Sequence, residues 1–384
     1  MELLRKWDCN VPTLRFAEFT DEWGKYELSH FVTRITRRNK NNESSLPLTI
    51  SAQYGLVDQI SFFNKTVASV DLSGYYLLYN GDFAYNKSYS NDYAWGAVKR
   101  LDKYEKGCLS SLYFVFRPND NIDSDYLTHY FESSKWHKGI SNIAGEGARN
   151  HGLLNMAVDD YFATKHYLPS LPEQKKIARI FNAITKRIEI QNKIIEDLKV
   201  LKKELNYSLI GRIINGKSSN CKIEDVIDYE QPTNYIVKSD KYIENGETPV
   251  LTANKAFLLG YTIENEGVYN KSDCIILDDF TLDFKYVNFP FKIKSSAIKI
   301  LTAKKDIELR YFYEYLLFLG LTSHEHKRHY ISEIAPLPLY LPSIDEQRSA
   351  LSALNSISEK IRVEENYIIA LKAQKCFFLR AMFI

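Results

Sequence analysis

Apolar residues recur at a heptad-like spacing in two stretches of the 384-residue chain. The first carries Ile177, Phe181, Ile184, Ile188, Ile195, Leu198, Leu205 and Leu209; the second carries Leu354, Ile357, Ile361, Ile368, Leu371, Phe378 and Met382. Each spacing predicts a long helix with a narrow apolar stripe, and such a stripe wants a partner helix. The two stretches are copies of each other. YLPSLPEQ begins at Tyr167 and YLPSIDEQ at Tyr340, 173 residues later. At the same offset Asn182 matches Asn355, Ile184 matches Ile357, Ile188 matches Ile361, Ile195 matches Ile368, Leu198 matches Leu371 and Lys199 matches Lys372. An ungapped run of matches at one offset marks an internal repeat. The economical arrangement packs the two stripes on one another. Both stripes are interrupted at matching places, by Gln191 and Glu364 and by Lys202 and Lys375. Polar interruptions of this kind are expected to fix register. Each copy also opens on S-x-x-E, Ser170 with Glu173 and Ser343 with Glu346, the signature of a capping box. Pro169, Pro172, Pro338 and Pro342 stiffen the approaches, and Pro172 falls in the first turn, where a missing N–H costs little.

Between the helical copies the pattern shortens to β-type runs. LPLTIS, YYLLYNG and SSLYFVFRP lie before the first copy; TPVLTAN, DCIILDD, YVNFPFKI and SAIKIL lie before the second. Each set is followed by an aromatic helical stretch, DYLTHYFESSKW or ELRYFYEYLLFLG. Two related α+β domains are expected. The division is a segment 1–22, a domain 23–166, a helix 167–219, a domain 220–339 and a helix 340–384.

Composition narrows the class. The net charge is only +2, so any basic surface must be local, whereas 27 Tyr and 21 Phe are rich in residues that combine area with a polar tip. The five cysteines (Cys9, Cys108, Cys221, Cys274 and Cys376) are odd in number and widely spaced, which points to a reducing compartment rather than a disulfide framework or a zinc cage. MELLRKWDCN has no apolar signal core, and no apolar run approaches membrane-spanning length. A cytoplasmic location is expected.

Three stretches resemble catalytic motifs. GRIINGKS (Gly211–Ser218) fits the G-x-x-x-x-G-K-[ST] of phosphate-binding loops, yet such a loop follows a strand and opens a helix. This one ends a helix, has a bulky interior and lies where the second copy stops, so it is expected to be a linker that Gly216 terminates. Asn288-Phe289-Pro290-Phe291 resembles the Asn-Pro-Pro-Tyr/Phe motif of amino-methyltransferases, with Phe in place of the first Pro. Asp273 with Asp283-Phe284-Lys285 resembles the two-carboxylate-and-lysine pattern of metal-dependent nucleases. His324, His326 and His329 lack the i, i+4 spacing that places two ligands on one helical face. No catalytic residues, no metal ligands and no cofactor are assigned to the chain.

Basic residues cluster in the loops of both domains. TRITRRNK holds Arg34, Arg37, Arg38 and Lys40; GEGARNHG holds Arg149, Asn150 and His151; HEHKRHY holds His326, Lys327, Arg328 and His329. Between Glu173 and Lys217 the first helix carries eleven Lys/Arg against five Asp/Glu. Lys and Arg meet phosphates, while Arg, Asn, Gln and Lys read base edges. With Gln53, Tyr54, Lys87, Tyr89, Asn254 and Lys255, these loop residues are the candidate DNA contacts.

The chain resembles the specificity (S) subunit of Type I restriction–modification enzymes. The likeness rests on VPTLRFAEFTDEW (Val11 to Trp23), on LPSLPEQKKIA and LPSIDEQRSAL with their helices, and on the G-x-R turn Gly147-Ala148-Arg149. It implies two α+β target recognition domains, each reading one half of a bipartite DNA site, related by a pseudo-two-fold repeat. Two long helices forming an antiparallel coiled coil would separate them. It also implies two modification (methyltransferase) subunits and added restriction (ATP-dependent translocase/nuclease) subunits, to which S-adenosylmethionine, ATP and Mg belong. Competing readings are a self-sufficient DNA methyltransferase or nuclease, and a coiled-coil scaffold that binds only protein.

From Ile177 to Leu209 the first stripe is about 50 Å long at 1.5 Å per residue, against about 34 Å for one DNA turn. A four-residue insertion near Lys199 keeps a heptad stripe nearly in phase. It is expected to lengthen the non-specific gap between the half-sites and leave the bases read in each half unchanged. Methylation mapping checks this: an unchanged gap in an active complex would mean that the helices do not set the spacing.

Overall fold

The structure is a computed structural model that describes residues 10–384 other than 66, 91–92, 146–151, 255, 324 and 326. The chain divides into two units, Met1–Asn192 with Tyr367–Ile384, and Lys193–Asn366. The two long helices run over Leu171–Ile214 and Ile344–Ala381, so each contributes one part to each unit.

In the first unit the strand Gly24–Glu27 pairs antiparallel with Lys165–Leu168, and a four-residue helix, Leu28–Phe31, leads into the strand Val32–Arg34. Val32–Arg34 forms the edge of a four-stranded sheet, followed in space by Phe114–Pro118, Phe83–Asn86 and Ala97–Arg100, with antiparallel neighbours throughout. In the second unit Cys221–Lys222 pairs with Pro338–Leu339, a four-residue helix covers Ile223–Val226, and Ile227–Glu230 opens a sheet continued by Ile298–Ala303, Cys274–Asp278 and Phe284–Val287. The topology is the same in both: first strand, last strand, then a central hairpin. Each unit also holds a side hairpin, Leu48–Ser51 with Gly55–Asp58 in one and Thr248–Leu251 with Leu258–Thr262 in the other.

The period of two along a strand explains why these sheets are buried on both faces. Along Cys274–Asp278, Ile275 and Leu277 enter one apolar core while Cys274 and Ile276 enter another. In the first unit Phe83 and Tyr85 face the aromatic core and Ala84 faces the smaller one. The central strands therefore read as continuous apolar runs rather than alternating ones. In the aromatic core Phe83 stacks on Phe116 at 5.6 Å and Tyr85 on Tyr161 at 4.8 Å.

Within the first unit the long helices run antiparallel: Phe181 stacks on Phe383 at 5.5 Å, and Arg187 lies over the Tyr367 ring at 5.2 Å. Within the second, Lys199 pairs with Glu365 at 2.6 Å. The stripe positions Ile177, Phe181, Ile195, Leu354, Ile361, Ile368 and Leu371 are buried, and Ile184, Ile188, Leu198 and Ile357 are half-buried. The helix ends do a second job as well. Ile177 and Phe181 join the first unit's core, and Ile210, Ala350 and Leu351 join the second's.

The matched lysines act differently from the register device expected of them. Lys202 binds Glu314 at 2.9 Å and Lys375 binds Glu132 at 2.9 Å. Both carboxylates sit on the aromatic helices of the units, Leu309–Leu319 and Ser124–Glu132, not on the other long helix. A lysine drawn into an apolar stripe needs a nearby carboxylate, and the docked helix supplies it. The capping boxes also diverge. Ser343 and Glu346 close theirs, with the Ser343 N–H and Oγ–H donating to Glu346 and the Glu346 N–H donating back to Ser343 Oγ. Glu173 instead takes both arms of the Arg15 guanidinium at 2.8 Å, a bidentate pair.

His166 is buried between Tyr130 and Thr164, whose hydroxyls lie 2.7 and 2.8 Å from its two ring nitrogens. Burial pushes its pKa down to about 4. The unfolded chain takes a proton here near pH 6.5 while the folded unit resists, so stability is full above about pH 6.5 and is lost as pH falls towards 4, up to about 3 kcal/mol. The unfolding midpoint in urea is expected to drop between pH 7 and pH 5, and to drop less in His166→Gln. Equal pH dependence in the two proteins would place the titration elsewhere.

Candidate nucleic-acid interface

The basic loop after Val32–Arg34 separates into three roles. Arg34 is exposed and lies 3.8 Å from Asp159, and Lys40 is exposed. Arg37 is committed inward: it donates to the Leu77 carbonyl and to Asp82 and lies 4.1 Å over the Tyr79 ring. Asp82 is fully buried and takes Arg117 on its other oxygen at 2.6 Å, with the Tyr79 N–H as a third donor. A buried carboxylate needs such compensation, so Arg37 supports the loop. Arg38 donates to the Gly74 carbonyl and covers the Tyr76 ring at 4.2 Å.

Gln53 and Tyr54 occupy the turn of the first side hairpin, both exposed, and Asn254 occupies the corresponding turn in the second unit. That turn bends sharply in both cases: Gly55 has φ +82° and Phe257 has φ +43°. Asn254 accepts from the Ala256 N–H, so part of its amide holds the turn. Gln53 also lines a cleft of about 400 Å³ with Tyr93, Lys99 and His137. Lys87 is half-buried over the Phe114 ring at 4.7 Å, and burial lowers its pKa; Tyr89 is exposed, and its N–H donates to the Gly152 carbonyl. The stretch 87–89 therefore runs beside 152–154. Arg149, Asn150, His151, Lys255 and His326 lie outside the described residues, as does the Gly147-Ala148-Arg149 turn.

The HEHKRHY cluster also divides. His329 is buried, with Glu333 2.7 Å from one ring nitrogen and the Ser323 hydroxyl 2.8 Å from the other. The N–H groups of His329 and Tyr330 both donate to Asp279, itself buried beside Lys299. His329 is thus part of the loop's anchor. Lys327 sits between Glu325 and Glu333, at 2.6 and 2.9 Å, and those carboxylates hold its pKa up. Arg328, like Lys327, is exposed and lies 5.7 Å from the Phe280 ring.

The catalytic look-alikes do not assemble. Asp273 and Asp283 flank opposite ends of the hairpin in which Cys274 pairs with Val287 and Leu277 with Phe284, about 16 Å apart at 3.3 Å per residue. Lys285 sits mid-strand opposite Ile276, and Asp273 is taken by the Tyr286 hydroxyl at 2.6 Å. Phe291 is buried in the core while Asn288 is exposed. In GRIINGKS the first four residues belong to the long helix, the Asn215 N–H bonds back to Gly211, and Gly216 turns the chain with φ +71°. Those amides serve the helix end rather than a phosphate. Among the described residues, no three His, Cys, Asp or Glu converge on a metal-sized site, and no helix is long and apolar enough to cross a membrane.

Residues 35–200 match the family described as the Type I restriction modification DNA specificity domain. Over that stretch the chain resembles this family. It is 40% identical over 139 residues to the Type I restriction enzyme EcoR124I/EcoR124II specificity subunit of Escherichia coli, a stretch that is 35% of this chain and 34% of that protein. The match thus spans about a third of that relative's length. Over nearly its whole length the chain shares its fold with solved structures of low identity. The Type I restriction–modification S subunit of M. genitalium gives a TM-score of 0.57 at 15% identity, covering 97% of this chain and 99% of that one. A structure described as underlying complex assembly and conformational transition of the type I R-M system gives 0.54 at 17% identity, covering 94% and 97%.

Sequence reasoning passed over Arg117 and the two glutamines that dock an aromatic helix within each unit. Gln174 donates to the Pro169 carbonyl and accepts the Asp123 N–H; Gln347 donates to the Pro342 carbonyl and accepts the Glu308 N–H. The repeated Pro-x-x-x-x-Gln spacing was the available signal. Arg37→Ala is expected to lower stability by about 2 kcal/mol, because the buried Asp82 carboxylate loses one of its two cation partners. Lys40→Ala should stay within about 0.5 kcal/mol. Thermal unfolding of the two variants checks the contrast, and equal melting temperatures would show that Asp82 does not need Arg37.

Proposed function

We propose that the chain is the DNA-recognition subunit of a Type I restriction–modification complex, and that each unit reads one half of a bipartite duplex site. The observation that carries this reading is the duplicated topology: two units with one strand order and one side hairpin each, docked on paired long helices by the same glutamine contact. Two equivalent reading heads suit two separate half-sites, and the loops they present hold Arg34, Lys40, Gln53 and Tyr54 in one unit and Asn254 and Arg328 in the other.

The chain itself does no chemistry in this reading. Methyl transfer, translocation and cleavage belong to modification and restriction subunits, which would hold S-adenosylmethionine, ATP and Mg. The long helices have surface for such partners: Ile190, Val200, Leu201, Ile369 and Phe377 are each at least half exposed. Such a complex acts on DNA in the cytoplasm.

The test is methylome sequencing of a host carrying this gene with its partner genes, beside assays of the purified chain alone. The expected outcome is methylation at a bipartite sequence with a fixed gap, and a chain that binds duplex DNA but neither methylates nor cuts it. Methylation or cleavage by the chain alone would overturn the proposal, as would a single uninterrupted target.

A further inference from the structure

In the first unit an open cleft of about 630 Å³ is lined by Lys25, Lys135, Lys138 and Lys165, with Asn142, the side-chain carboxylate of Asp160 and the last residue, Ile384. None of the four lysines was singled out by sequence, since they come from three separate stretches. Lys25 and Lys165 stand on the paired strands Gly24–Glu27 and Lys165–Leu168, where Lys25 faces Tyr167 and Lys165 faces Glu27, so the two lysines are diagonal neighbours on one face. Lys138 stands in the first turn of the helix His137–Ile143, and Lys135 lies in the turn just before it. Lys25 and Lys165 also border a second cleft of about 480 Å³, which extends the groove towards His30 and Tyr26, whose rings stack at 4.6 Å.

Three features make this more than a solvated surface. Among the described residues none of the four lysines forms an ion pair, although the same unit pairs Lys106, Lys176, Lys186 and Lys375 with carboxylates. Gathering four like charges with one side-chain carboxylate in the cleft and Glu27 on its rim costs stability that a bound polyanion would recover. The cleft also lies against the helices His137–Ile143 and Val158–Phe162, the two elements joined by the segment that carries Arg149, Asn150 and His151.

We infer that this lysine cleft binds the phosphate backbone of duplex DNA, positioning the first unit on its half-site without reading bases. The inference rests on the proposed DNA-recognition function and adds a place and a set of residues to it. An open groove bearing ammonium groups, which are point charges without the planar fork of arginine, suits a run of phosphates better than one small anion.

The experiment uses the full chain with Lys25, Lys135, Lys138 and Lys165 all changed to Gln, and a single Lys138→Glu variant in case the first does not fold. Binding is measured against salt concentration on a duplex carrying the methylated sequence and on a scrambled duplex. Each phosphate contact contributes about 0.9 to the slope of log K against log salt. The quadruple variant should lose about 3.6 from that slope, bind both duplexes at least tenfold more weakly at low salt, and keep its preference between them. Lys138→Glu should lose about 1. An unchanged slope in a folded variant overturns the cleft while leaving the proposed function standing. Loss of assembly with the modification subunit, with DNA binding intact, also overturns it, because the partner would then be a protein surface. A wild-type chain that shows no binding to either duplex sinks the function and the cleft together.

Discussion

A buried glutamine one turn into each long helix is the interaction on which the architecture depends. Gln174 and Gln347 are almost fully shielded from water, so each amide must satisfy its donor and acceptor inside the protein. Each does so by bridging the proline carbonyl before its own helix and the N–H that opens the docked aromatic helix. The bond ties entry, helix and domain at one point, and the Glu132–Lys375 and Glu314–Lys202 pairs secure each docked helix further along. Removing one partner of a shielded polar pair is far more costly than the pair's net worth, so this geometry tolerates little variation.

That constraint accounts for the pattern of the repeat. Residues kept at the 173-residue offset include those that hold a domain to a helix, Gln174 with Gln347 and Lys202 with Lys375. The loops differ. Asp82 gathers Arg37 and Arg117 in one unit, while Asp279 gathers Lys299 and the His329 and Tyr330 amides in the other. Each loop rests on a buried carboxylate, but the donors come from different places.

The sequence revealed the helices and the duplication because their signals are local: a spacing, a cap and a fixed offset. The loop assignments were harder to read, for a physical reason. The partners of Arg37 lie 40 and 45 residues away, and those of Glu173 lie 158 residues away. A basic run in sequence therefore could not say which cation is spent on the fold. TRITRRNK looked like one patch, yet its arginines reach Asp159, Asp82 and Gly74. HEHKRHY looked like another, yet His329 lies inside it. Conversely, Lys25, Lys135, Lys138 and Lys165 are unremarked singly and meet only once the chain is folded. The P-loop spelling of GRIINGKS misleads for the opposite reason, since eight letters in order say nothing about whether a strand precedes them.

The central strand Cys274–Asp278 sends alternate side chains into two separate cores, and Phe83–Tyr85 does the same in the first unit. Adding or removing one residue there would exchange the contents of both cores, which freezes the length of these strands. The hairpin turns at Gln53–Tyr54 and around Asn254 carry no such burden, because their side chains face water. Mutational drift can therefore run quickly at the turns and slowly a few residues away, and a lineage can change its surface vocabulary while keeping its grammar.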